Sequence, residues 1–128
     1  MDEDAVDGSE LPLDGDVLVL AGAKASVSPD RLPELVRRAQ RHLAPRLDEY
    51  ERTYETVEDD EERAVFLVPT DFWEEVGSEL GLEAREADAL RRAHAQQLRR
   101  IGSKADRREE FVTALEIREA LVVGRDSV

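Results

Sequence analysis

Few side chains in this 128-residue chain combine the types and spacing that chemistry needs. His42 and His94 are its only histidines, and neither lies in an HxxxH or HExxH pattern that would set two imidazoles around zinc. There is no cysteine, which excludes disulfides, thiolate zinc sites and thiol nucleophiles. "LAGAKAS" holds glycine and lysine but no GK[ST], so no phosphate-binding loop is expected. Acid pairs such as Glu74/Glu75 and Glu109/Glu110 read as solvated surface in a chain with 31 acidic residues. The expectation is no catalysis, no metal, no cofactor and no small-molecule ligand. His94 falls within an apolar stripe and reads as a satisfied, partly buried histidine. Trp73, beside Phe72, reads as a core anchor.

The cations are better ordered. Of the 18 basic residues only Lys24 and Lys104 are lysine, and they work against 31 acids for a net charge of −13. Five arginines sit in residues 31–46 and eight bases in residues 85–108. At about 100° per residue, Ala87, Leu90, His94, Leu98 and Ile101 form one helical stripe. Arg85, Arg92, Gln96 and Arg99 fall close to the opposite side. Arg100 borders this row, and Arg91 borders the apolar stripe. Arginine can bond guanine bidentately and glutamine can bond adenine, while the bordering arginines could reach phosphates.

A helix pair would present that row. Gly77 is a small residue in a first helix, Gly81 a turn glycine, and Val76, Leu80, Leu82, Ala87 and Leu90 are apolar around them. On these residues, positions 73–92 resemble the helix-turn-helix of DNA-binding domains. "AGAKASVSPDRLPEL" is similar, with "SVSP" as turn and Arg31, Arg37 and Arg38 following. The resemblance implies nucleic acid as a partner of the Arg85, Arg92, Gln96 and Arg99 face. Three features oppose it. Glu83 is a poor N-cap, Glu86 and Asp88 crowd the end that usually enters the groove, and about 18 residues is long for a recognition helix. The competing reading is that acids elsewhere neutralise the arginines. Residues 47–63, with nine acids against Arg52 and Arg63, are the expected cover for either basic island. The sequence therefore leads first to a small regulatory or adaptor module acting through protein–protein contacts or self-association. A helix-turn-helix-type DNA-binding regulator is the alternative.

Length predicts one domain. Residues 1–10 read as a mobile acidic tail, and residues 11–128 as a single helical domain. High Asp/Glu, scarce lysine and plentiful alanine and valine resemble the composition of halophilic archaeal proteins, in which salt screens carboxylate self-repulsion. The longest apolar runs, Val17–Ala21 and Ala64–Val68, fall far short of the about 20 residues a bilayer needs. The N-terminus is acidic where a secretory signal is basic, so a cytoplasmic, membrane-free chain is expected.

These residues need elements to hold them. The fold is expected to be mostly α, a compact bundle of four to five helices with an optional β-hairpin near 51–68; α+β is the alternative. "VLVLAGAKA" is strand or helix, and its alanines tilt it to helix. A helix follows an Asp30 N-cap and is broken at Ala44–Pro45, where the proline lacks an N–H. Leu47, Tyr50, Tyr54 and Val57 continue a helical stripe, although Thr53, Thr56 and Val57 also suit a strand. Thr70 is the expected cap of a helix ending at Gly81. A long helix then runs to about Ile101, stopped by Gly102. Ser103 and Asp106 take capping-box spacing before a helix that runs on Phe111, Val112, Leu115 and Leu121 towards Gly124, although "ALVVG" can instead finish as a short strand. The expected core is Leu35, Leu43, Tyr50, Tyr54, Phe66, Leu67, Phe72, Trp73, Val76, Leu80, Leu90, Leu98, Ile101, Phe111, Leu115 and Leu121.

Overall fold

A computed structural model describes residues 11–125; the acidic segment 1–10 read as a tail lies outside the described residues. In chain order the elements are α1 (Gly15–Ala25), α2 (Arg31–Leu43), a 3-10 turn (Ala44–Arg46), α3 (Leu47–Thr53), β1 (Glu55–Asp59) and β2 (Arg63–Val68). They continue with α4 (Phe72–Leu80), α5 (Ala84–Lys104), α6 (Arg108–Ala114) and β3 (Glu119–Gly124). The strands form one antiparallel sheet in the order β1-β2-β3. The fold is mostly helical with a small sheet.

Local chemistry explains most boundaries. Ser26, at φ 60°, ends α1, and Gly81, at φ 70°, ends α4. Pro45 turns the end of α2 into the 3-10 segment. The helical stripe does not run through to Val57. Tyr54 is already extended, and Thr56 and Val57 enter β1, where β-branched side chains suit the pleat. The hairpin is thus present, and "ALVVG" adds its third strand, with Val122 opposite Val65 and Ala120 opposite Leu67.

Other expected boundaries shift. The N-cap position of α4 is Asp71, not Thr70. Asp30 does hold the N-cap position of α2, but its side chain makes no cap bond, and Ser28 Oγ accepts the Arg31 N–H at 3.2 Å. Glu83 does head α5, and its N–H donates to Glu86 Oε1 at 3.1 Å. Gly102 does not stop α5. It lies inside the helix because α6 crosses there, where a Cβ would stand 2.8 Å from the Phe111 ring and 3.1 Å from Arg108 Cα. Asp106 takes φ 60° in the connecting loop, and Ser103 belongs to α5. No box forms from that pair.

The sheet and α5 share the core. Ala64 to Val68 are all buried, so β2 is covered on both faces. Of the expected core, Tyr54, Leu80 and Leu115 are only half-buried at its margin. Leu32, Val36, Ala39, Val65, Val68, Val122 and Val123 join it. Helix α5 contacts α1, α2, α4, α6 and β3. From Glu86 to Gly102 none of its residues is exposed.

The α4–α5 crossing is tight at one point. A Cβ on Gly77 would lie 2.8 Å from Ala87 Cβ. Gly77→Ala is expected to destabilise the fold by about 1–2 kcal/mol, overpacking outweighing the helix propensity gained. The urea midpoint should fall with an unchanged slope; a higher midpoint would mean that the two helices part freely.

Candidate functional site

Two hydrogen-bond systems fix α5 in the domain. The first is at the open edge of β3. Ala120, Val122 and Gly124 turn their backbone groups away from β2. Trp73 Nε1 on α4 donates to the Ala120 carbonyl at 2.9 Å. His94 Nδ1 on α5 accepts the Val122 N–H at 2.9 Å. Gln40 on α2 donates to the Val122 carbonyl and accepts from the Gly124 N–H, both at 2.8 Å. Because Nδ1 accepts, the proton of the neutral ring sits on Nε2, which is buried without a partner among the described residues. The ring lies 4.3 Å from the Trp73 ring, centroid to centroid. His94 is therefore fully buried and only half satisfied, rather than partly buried and satisfied. Burial pushes its pKa down to about 3.

The second system clamps α1 to α5. Gln97, wholly buried, accepts the Asp14 N–H at 2.8 Å and donates to Asp14 Oδ2 at 3.3 Å. Arg100 bonds Asp14 at 3.1 Å and Asp16 at 2.8 Å. Partial burial pushes the Asp14 carboxyl up, but the hydrogen bonds from Arg100 and Gln97 outweigh it and hold the group below the usual range. The Asp16 carboxyl is also lowered, chiefly by its bond from Arg100.

The arginine row is split by these constraints. Arg85 alone is exposed, and it pairs with Glu83 at 3.1 Å. Arg91 and Arg92 share Asp88, each at 2.7 Å, and Arg91 also approaches Glu119 at 3.7 Å. Burial pushes Asp88 up, but the bonds from Arg92 and Arg91 prevail and lower it. Burial keeps Glu119 above the usual range despite Arg91. Arg91, Arg92, Gln96 and Arg99 line a hollow of about 100 Å³ with Leu20, Ala21 and Lys24 of α1. Arg100, its partner Asp16 and Gln96 border a more open hollow of about 420 Å³ beside Val17, Val19 and Leu20. The structure thus brings five of the six candidates to the α1/α5 groove and leaves Arg85 outside it.

Residues 47–63 do not cover this face. Three of their nine acids pair with arginines that flank β3 instead. Glu51 and Asp59 bind Arg125, and Glu55 binds Arg118. The ends of β1 lie opposite those of β2, which pair with the ends of β3, so Glu55 and Asp59 come level with Arg118 and Arg125 across the sheet. The other basic island pairs mainly with α4 and α5. Arg31 reaches Glu34 and Glu86, Arg46 approaches Glu79, and Arg38 donates to the Leu80 carbonyl at 2.7 Å.

The apolar half of the groove was not singled out in the sequence. Val17, Leu18, Ala21 and Gly22 face the core, while Val19 is 59% and Leu20 44% exposed. The signal was present in "VLVLA". A surface helix apolar on every side must leave one side uncovered.

A model of the family described as Domain of unknown function (DUF8048) matches residues 11–125, every element from α1 to β3. The chain belongs to the DUF8048 family. No curated protein and no solved structure matches it. The family match spans both the sealed edge of β3 and the groove, so each lies within the DUF8048 domain itself. Among the described residues no helix is long and apolar enough to cross a membrane.

The buried imidazole predicts a pH dependence. Folded chains take up no proton at His94 until about pH 3, whereas unfolded chains take one up near pH 6.5. Falling pH therefore favours the unfolded state between 6.5 and 3, by up to about 1.4 kcal/mol per unit. Lowered carboxylates such as Asp14 add their loss only at lower pH, below their ordinary value of 3.8. Urea midpoints measured from pH 7 to pH 4 should fall for the wild type and stay flatter for His94→Gln. Equal slopes would contradict the assignment.

Proposed function

We propose that this DUF8048 domain is a small non-enzymatic regulatory or adaptor module acting through protein–protein contacts. The observation that carries the reading is the unpartnered pair Val19 and Leu20, set beside the cationic rim of α5. Exposed apolar area flanked by arginine, a residue enriched at interfaces, suits a contact surface. The one fully buried histidine is spent on the backbone of β3 and is sealed against Trp73, which suits a structural imidazole rather than an acid or base.

The DNA reading has one observation in its favour. Gly77 and Gly81 do occupy the close approach and the left-handed turn that a helix-turn-helix asks of them. Helix α5 nevertheless lies inside the domain, and a recognition helix must enter a major groove about 12 Å wide with base-reading side chains bare. Arg92, Gln96 and Arg99 are half-buried against α1, and Asp88 already occupies Arg92. Protein contact is therefore the stronger reading.

The test places a photo-crosslinking residue at position 20, with position 61 in the β1–β2 turn as control. In cells of the source organism, position 20 should give a discrete protein adduct that resists nuclease and disappears when Lys24→Glu and Arg99→Glu are added. Matching adducts at both positions would sink the reading. So would a labelled DNA duplex shifted by the wild type and released by Arg85→Ala.

A further inference from the structure

The groove also indicates what kind of partner it takes, an inference that rests on the protein-contact reading above. Its smaller hollow is lined by four cations, Lys24, Arg91, Arg92 and Arg99, and by no carboxylate, on a chain of net charge −13. Asp88 neutralises Arg91 and Arg92 from one side. Among the described residues Lys24 and Arg99 have no carboxylate within 4 Å. At about 0.15 M salt the Debye length is roughly 8 Å, so a docked segment feels these cations more than the distant acids.

Spacing adds shape to this charge. Arg92 and Arg99 are seven residues apart on α5, roughly 10 Å or two turns. Val19 and Leu20 lie alongside on α1, next to Gln96. Carboxylates two turns apart, with aliphatic side chains between them, would meet this surface. That is the pattern of an amphipathic helix laid in a groove between two others. The smaller hollow, about 100 Å³, is below the roughly 300 Å³ at which small-molecule pockets begin, and the larger, about 420 Å³, lies too open to enclose a small ligand.

A second copy of the chain fits less well. A two-fold contact sets the same patch against itself, and here that would set one cation-lined hollow against another.

We propose that the α1/α5 groove docks an acidic amphipathic helix of a partner protein, its aliphatic side chains on Val19 and Leu20 and its carboxylates on Lys24, Arg92 and Arg99. The probe is a labelled alanine-based helical peptide with glutamates at i and i+7 and leucines at i+3 and i+4. Its anisotropy is titrated with the full chain at about 0.15 M salt. The wild type should bind it about tenfold more tightly than the analogue with glutamine for glutamate. Lys24→Glu/Arg99→Glu should abolish the preference, and Leu20→Ser should weaken both peptides alike. Circular dichroism melts verify that each variant is folded; Leu20→Ser and the charge pair fail independently, so one unfolded variant leaves the other as the test.

Three results would overturn the proposal. They are equal binding of the two peptides, binding seen only after residues 1–10 are removed (which would give the groove to the chain's own acidic segment), and self-association abolished by the same variants. A position-20 protein adduct without peptide selectivity would leave the module reading standing and reject this partner chemistry.

Discussion

An edge strand exposes a row of backbone amides and carbonyls that water or another chain must satisfy. In this domain three helices reach the outer edge of β3, and Trp73, His94 and Gln40 supply the missing partners. The three residues come from α4, α5 and α2, so each helix is registered against the same strand. Leaving such buried groups unpaired costs about 1–3 kcal/mol each, and together they decide where the helices sit. The opposite edge, β1, is treated differently. It carries Glu55, Glu58 and Asp59 and an irregular register at Thr56/Glu58, features that discourage pairing with another chain.

With α5 bound to β3 by His94 and to α1 by Gln97 and Arg100, the longest helix becomes the axle of the fold. The consequence for function follows from that burial. A row of arginines at helical spacing suggests a reading surface, but its outward side is shared with α1, whose Val19 and Leu20 are left bare. Cation and apolar surface then meet in one groove. A charge row on a helix thus becomes one side of a groove that is part cationic and part apolar, and the proposal of a protein partner rests on that mixture.

The legible parts were those governed by local rules. Gly81 and Pro45 marked their turns, and the β-branched "ALVVG" and "AVFLV" marked strands. The Leu90, His94, Leu98, Ile101 stripe placed the inner side of α5 correctly. What escaped depended on distant partners. Nothing in the sequence marks Gln97, because only Asp14, 83 residues away, explains its burial. Gly102 looked like a stop, because the packing of Phe111 against it is set by α6. Residues 47–63 looked like a cover for the arginines by net charge alone. Strand pairing brought Glu55 and Asp59 to Arg118 and Arg125 instead. Five of six candidate contact residues do converge, but their apolar neighbours on α1 could be found only by asking which side of an all-apolar helix is left open.

The central claim is that side chains of α2, α4 and α5 close the outer edge of β3 and thereby make α5 internal. Amide hydrogen exchange at Val122 and Gly124 tests it most directly, since both amides point away from the sheet and are held only by His94 and Gln40. The account predicts that they exchange only with global unfolding, as slowly as the amides in the middle of α5. Exchange at Val122 as fast as at the outward amides of β1 would contradict it.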